Sequence, residues 1–528
     1  MSRRISKIED KGIEEVSQAR TVSRKSTARS RVASGAGANA IAQAISAGTA
    51  FLLVPLFLHA WGAAQYGRWL TLTSMVMYLM LFDLGGQSYF ANLLASAYAR
   101  DDREEFRKIF GQGISLFTAI ALAAFLLLLA LVSLPPIHFL HQELAFSGQD
   151  RVVLFCMGIA LLLGVEGGII AAAYRASGLY SRGAMIGNIN RGATLLISAA
   201  ILMGGARPAV YAAFWLISNI LLFIFQAWDI YRKVPSVHGS KFGIQAARLG
   251  LVHLSGSLYF WLLSISTALN QQGVLLVVAM SGSTTAVALF ATHRTMCGLV
   301  NYISSFVQSP IMPELNYMYS RGEIDQLRRV SLLAMKLVTL TSTFAGVCLW
   351  LVLPVVYPRW TGKSLALDAP LLAILLTQAV LAVGWQSSGW VLMASNRHRR
   401  ISVAALINGI LTIGLGLVLA PHWGAAGVAF ASLIGDVLCG LAPYPLLSAP
   451  ALGLRARTLF LTILLPMLAL TPLWIVAAIR HPAPAMTLGS TSLLMFLCVA
   501  LLLPAAIWGF HRREDTDWIR ARLVHRSN

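Results

Sequence analysis

The chain has 528 residues, 57% of them hydrophobic and 12% charged, with a mean hydropathy of +0.70. No water-soluble fold has an interior large enough to hide so much apolar surface, which excludes an ordinary globular enzyme or binding domain. The net charge of +20 would suit a nucleic-acid partner, but the bases gather in the tails and in short connections beside apolar runs, where they meet anionic lipid instead.

Residues 1–34 are polar and basic, with Arg3, Arg4, Lys7, Lys11 and Arg20 among the cations. A secretory signal would place its apolar stretch earlier, so a disordered cytoplasmic tail is expected here. At about 20 residues per crossing, apolar runs predict fourteen spans, at 36–59, 67–95, 110–134, 151–174, 184–205, 209–230, 251–280, 284–309, 331–356, 369–394, 402–420, 425–447, 457–479 and 488–510. The expected fold is an all-α polytopic membrane protein of about 14 transmembrane helices. It divides into a six-helix lobe (35–230), a basic cytoplasmic connector (231–250), a second six-helix lobe (251–448), two additional helices (449–510) and a cytoplasmic tail (511–528).

Charge on the connections orients the bundle. Alternate connections carry Arg100, Arg103, Arg107 and Lys108, then Arg175 and Arg182, then Arg232, Lys233, Lys241 and Arg248, then Arg321, Arg328 and Arg329, then Arg397, Arg399 and Arg400. The intervening ones are poorer in base, although Arg207, Arg359 and Lys363 lie among them. The positive-inside rule then puts both termini in the cytoplasm of a bacterial inner membrane. The five cysteines all sit inside apolar runs without metal-ligand spacing, so neither a disulfide framework nor a metal site is expected. His138 and His141, in the longest outer connection, are too few ligands to make one. No Walker A loop is present, so no ATP hydrolysis and no catalytic residue is expected.

The chain also repeats itself. Ile186-Gly-Asn-Ile-Asn-Arg-Gly runs on to Gly204-Gly-Ala-Arg-Pro, and Ala404-Ala-Leu-Ile-Asn-Gly-Ile runs on to Pro421-His-Trp-Gly-Ala-Ala-Gly. Asn190 and Asn408 hold matching places, as two lobes rocking about a shared site would require.

Polar groups inside the spans mark candidate sites. Asn39, Gln43, Ser46 and Thr49 recur at helical spacing on the first span, and Ser255, Tyr259, Ser266 and Asn270 on the seventh. Asp83, Glu166, Arg191, Arg294 and Asp436 lie within spans, where a charge at the centre costs about 2.5–3.5 kcal/mol and so avoids lipid. Arg294, Arg191, Gln43, Asn39, Asn270 and His293 are the candidate substrate contacts. Asp83, Glu166 and Asp436 are candidates for ion coupling or structural pairing. Trp385, Gln386 and Trp390 offer a mixed surface for sugar rings and hydroxyls.

Gly62-Ala-Ala-Gln-Tyr-Gly-Arg-Trp, followed by Phe82-Asp-Leu-Gly-Gly and Asn92, resembles the polysaccharide-transporter (O-antigen flippase) family of the multidrug/oligosaccharidyl-lipid/polysaccharide exporter superfamily. Tyr66-Gly67 matches its short outer turn, Asp83-Leu84-Gly85 its second helix, and 408–427 its eleventh-to-twelfth hairpin. The resemblance covers about residues 35 to 510 and implies twelve core helices in two lobes, often with two more. It implies flipping of an undecaprenyl-diphosphate-linked glycan by alternating access, with guanidinium groups suited to phosphoryl oxygens. A polysaccharide polymerase and export machinery are the implied protein partners, anionic lipids the implied surroundings. No cofactor is expected beyond proton or sodium coupling, and no nucleic acid.

A lipid II-type flippase is the nearest alternative, although the first helix carries Asn39, Gln43 and Ser46 where arginines are expected in that group. A multidrug or cation antiporter would favour an acid-rich cavity. A membrane-bound sugar polymerase or ligase would need a larger outer loop than 135–150.

Overall fold

The computed structural model describes residues 2–133, 146–395 and 399–469, and no strand occurs among them. The molecule is an all-α polytopic membrane protein. Its helices are α1 (Ser2–Met77), α2 (Gly86–Ala99), α3 (Arg103–Ser133), α4 (Gly148–Ala176), α5 (Tyr180–Met203), α6 (Pro208–Lys233), α7 (Ile244–Leu251), α8 (Leu258–Ala268) and α9 (Val274–Ser281). They continue as α10 (Thr284–Cys297), α11 (Leu299–Ser320), α12 (Ile324–Trp360), α13 (Ala369–Ala394), α14 (Arg399–Asp436), α15 (Pro443–Ser448) and α16 (Ala456–Ala469). The predicted fourteenth span, most of the thirteenth, and His138 and His141 lie outside the described residues.

Nine apolar segments among the described residues are long enough to cross a bilayer, and two are far too long for one crossing. Gly37–Ala99 has 63 residues, about 95 Å of helix, three times the hydrocarbon thickness. It breaks at Gly62 (φ 73°, ψ 169°), and α14 breaks likewise at Gly424 (φ 55°, ψ −137°). Both glycines occupy backbone conformations that a side chain resists. Each therefore makes a hairpin without a loop, and both stand in the tetrapeptide Trp-Gly-Ala-Ala, at Trp61 and at Trp423.

Three predicted spans are irregular. The second breaks within the Asp-Leu-Gly motif, where a 3-10 turn (Tyr78–Asp83) ends with Leu84 (φ 51°) and Gly85 (φ 69°) in the left-handed region. The seventh begins as a 3-10 turn (Val252–Ser257) and contains a π turn (Leu269–Gly273). The eighth is two helices, α10 and α11, meeting at Gly298, and it runs past the predicted boundary to Ser320. Periodicity cannot reveal such breaks, because backbone bonds to partners distant in sequence hold them: the Trp261 indole donates to the Leu81 carbonyl at 2.8 Å.

One apolar core runs through both halves of the chain, from Leu53 to Ile463. Phe57, Trp61, Tyr66, Trp69 and Tyr211 stack there with ring centroids 4.8 to 6.3 Å apart, and Trp61 donates to the Ala206 carbonyl at 2.7 Å. Across the halves, Trp360 donates to the Phe51 carbonyl at 2.7 Å, and Gly67 lies so close to Thr284 that a Cβ would stand 1.7 Å from its carbonyl oxygen. At the base-rich end the first half has its own separate core, built on Phe90, Leu94, Phe106, Ile169 and Tyr174.

Candidate functional site

Two ion pairs tie helices of the first half together, α1 to α4 and α5 to α6. At the base-poor end, Arg68 reaches Asp150 with two bonds (3.0 and 2.5 Å), while Asp150, 3% exposed, also accepts from the Ser147 amide (2.6 Å) and hydroxyl (2.7 Å). At the base-rich end, Arg182 grips buried Asp229 through two bonds (2.9 and 2.7 Å) and the Tyr174 hydroxyl donates to the same carboxylate at 2.7 Å. Sequence reasoning missed both. Ser147-x-x-Asp150 is a readable helix-start signal and forms a capping box, but nothing in the sequence says that Arg68 would meet it.

A chamber lies between α1, α4, α5 and α6 and has a volume of about 780 Å³, within the usual range of ligand pockets, roughly 300–1,000 Å³. Asn39, Ser46 and Thr49 line it; Gln43 does not, because its side chain falls off the face that those three share. Arg191 lines the opposite wall at mid-height of α5. The Asn188 amide donates to the Ala38 carbonyl (2.7 Å), which turns its oxygen to accept from Arg191 Nη1 at 3.2 Å. Asn39 accepts from the Tyr180 hydroxyl at 2.7 Å, leaving its NH₂ group for the chamber. No carboxylate is among the lining residues.

Arg294 is elsewhere. It projects from α10, half-buried, and its Nη1 donates to the Gln271 carbonyl (2.9 Å) in the π turn. The guanidinium stands 5.8 Å from the Phe290 ring centroid. Asn270 donates back to Ser266 of its own helix at 3.0 Å. His293, fully buried, spends both ring nitrogens within the protein. Nε2 accepts from the Asp368 amide (3.0 Å), so Nδ1 carries the proton that meets the Leu289 carbonyl (2.8 Å). Tyr357 closes against it at 3.1 Å. His293 thus ties α10 to α12 and to the start of α13 and does not line the chamber.

The acids are scattered. Asp83 accepts from the Gln87 amide at 3.2 Å and caps α2. Glu166 lies beside Thr118 of α3. Asp436, 8% exposed, accepts from Asn408 (2.8 Å) and Gln378 (3.1 Å), while the Thr412 hydroxyl donates to the Asn408 oxygen at 3.1 Å. Among the described residues, none of Asp83, Glu166, Arg191, Arg294 and Asp436 has an opposite charge within ion-pair distance. No group of three or more His, Cys, Asp or Glu suited to a metal occurs among those residues. Trp385 and Trp390 are buried, with Trp385 packed 4.5 Å from Tyr444, and Gln386 alone of that cluster is exposed.

The repeat extends to the hydrogen bonds. One sequence shift carries Asn190, Thr194 and Ser218 onto Asn408, Thr412 and Asp436. Ser218 bonds Asn190 at 3.3 Å and Thr194 at 2.9 Å across the α5–α6 hairpin, as Asp436 bonds Asn408 across the arms of α14. The same polar tie therefore fastens both hairpins.

No protein-family model and no curated protein sequence matches this chain. Its fold is similar to that of solved transporters. The lipid II flippase MurJ in an inward closed conformation aligns with a TM-score of 0.65 at 14% identity, over 89% of this chain and 98% of that one. An inward-facing multidrug resistance MATE family transporter of the MOP superfamily gives 0.58 at 14%, over 82% and 99%. The MATE multidrug transporter DinF-BH gives 0.56 at 17%, over 82% and 96%. At these identities the likeness establishes the architecture, a multi-pass helical membrane fold shared with MATE transporters and MurJ.

Proposed function

We propose that the protein is a flippase that moves a polyprenyl-diphosphate-linked oligosaccharide across the bacterial inner membrane by alternating access of two related six-helix lobes. The observation that carries this reading is the pair of guanidinium groups, Arg294 and Arg191, held within the membrane without a carboxylate partner among the described residues. A cation placed there is costly unless water or an anion reaches it. An anionic lipid-linked glycan supplies such a partner, since guanidinium groups meet phosphoryl and carboxylate oxygens alike with charge-assisted, bidentate bonds. Amides and hydroxyls around the chamber suit sugar hydroxyls. Both termini are assigned to the cytoplasm from loop charge, with glycan export enzymes as functional partners and anionic lipids around the basic connections.

Coupling is assigned to Asp436. Its carboxyl receives two amide donors and no cation, so a proton or sodium ion has an unmet charge to satisfy. An antiporter of organic cations is the second reading, favoured by that same acid, but the chamber wall holds no carboxylate to receive such a cargo. Proteoliposomes separate the two: glycan-bearing diphosphate lipids should cross and amphipathic cations should not. Efflux of cations without lipid flipping would reverse the assignment.

A further inference from the structure

The duplicated hairpins are alike in their polar ties but opposite in charge. At two of the places where they differ, the first half has Arg191 and Ser218, and the second has Gly409 and Asp436. The second half is tighter at the matching place, where a Cβ on Gly409 would stand 3.0 Å from the Leu269 side chain. The first half encloses about 780 Å³ around its arginine. One scaffold therefore presents an isolated cation in one half and an isolated anion in the other.

We infer that the first-half chamber is a glycan-recognition subsite, and that Arg191 holds a single carboxylate on the sugar head of the substrate. This deepens the flippase reading and rests on it for the identity of the cargo. Among the described residues Arg191 makes one bond, to Asn188, which leaves four of its five guanidinium donors uncommitted there. Around it, Asn39 and Asn190 have given their oxygens to Tyr180 and Ser218 and keep NH₂ groups for hydroxyl acceptors. The side chains of Gln226 and Ser46 have no hydrogen bond among the described residues. Trp215 adds a ring face. The other lining cation, Arg175, ends α4 at the base-rich end, while Arg191 stands eleven residues into α5, about 16 Å from that helix's start. The two cations therefore sit at different heights of the wall and not side by side as a two-cation diphosphate clamp would have them. The diphosphate is left to Arg294, outside the chamber.

The test is equilibrium binding to the full chain in lipid nanodiscs, with a glucuronate-bearing tetrasaccharide, its uncharged glucose counterpart and inorganic diphosphate as probes. The acidic glycan should bind more tightly than the neutral one, and Arg191→Gln should weaken it about tenfold or more while leaving the neutral glycan unchanged. Arg191→Lys should restore part of the loss. Asn219→Asp, which adds a carboxylate to the wall, should weaken the acidic glycan alone, so the inference stays testable if Arg191→Gln fails to fold. Equal binding of both glycans, equal losses in Arg191→Gln, or displacement of the acidic glycan by diphosphate would overturn it. Arg191-dependent binding without lipid flipping would sink the flippase reading and keep the subsite; flipping without glycan binding would do the reverse.

Discussion

Replacing Arg294 with methionine sets stability against function. Holding a guanidinium mid-membrane costs about 2.5–3.5 kcal/mol, offset in the resting protein by one bond to the Gln271 carbonyl and a ring contact at 5.8 Å. A hydrogen bond from a charged donor contributes about 1.5–3 kcal/mol. Methionine fills much the same volume without charge, so Arg294→Met should leave stability unchanged or raise it by up to about 2 kcal/mol. On the proposed reading, in which this guanidinium meets the substrate diphosphate, its diphosphate-lipid flipping should nonetheless fall at least tenfold. Unfolding of wild type and variant in nanodiscs, beside flipping rates in proteoliposomes, reads both quantities. A variant destabilised by more than about 1 kcal/mol that flips normally would make Arg294 a structural strut and refute the reasoning.

Removing the Asp150 carboxyl takes two bonds from Arg68 and the acceptor from the Ser147 donors, so Asp150→Ala should cost about 3 kcal/mol in thermal unfolding, and the double replacement Arg68→Met/Asp150→Leu should recover much of it. Gly67→Ala places a methyl 1.7 Å from the Thr284 carbonyl oxygen, which backbone cannot yield. Its two halves should part at the base-poor end, seen as faster labelling of a cysteine introduced beside Thr284. Asp436→Asn should keep the ties to Asn408 and Gln378 largely intact, yet abolish any dependence of flipping on a proton or sodium gradient. Unaltered ion dependence would move the coupling role to another acid. His293→Phe loses bonds to Leu289 and Asp368 and should cost about 2–4 kcal/mol while leaving substrate affinity unchanged in binding assays.

The all-α, multi-span character was legible because apolar length is a one-dimensional property of sequence. Gly62 and Gly424 were legible only as positions between spans; that they replace whole loops follows from their left-handed backbone. The repeat was visible at Asn190 and Asn408, and its hydrogen-bonded partners Ser218 and Asp436 were not, since a tie across a hairpin leaves no periodic trace. Helical spacing found Asn39, Ser46 and Thr49 on one wall but swept in Gln43, because a stripe is wider than the face a cavity uses. His293 looked like Arg294's companion; consecutive residues on a helix point about 100° apart, and this one points into the core. The π turn beneath Arg294 has no sequence signature in Leu269–Gly273, and it supplies the carbonyl that holds the guanidinium.

The most direct measurement is appearance of a polyprenyl-diphosphate oligosaccharide on the far leaflet of proteoliposomes containing the purified full chain, compared with the Arg294→Gln/Arg191→Gln double variant. The wild type should move the lipid and the folded double variant should not. Equal rates in the two would contradict an anion carried on these intramembrane cations.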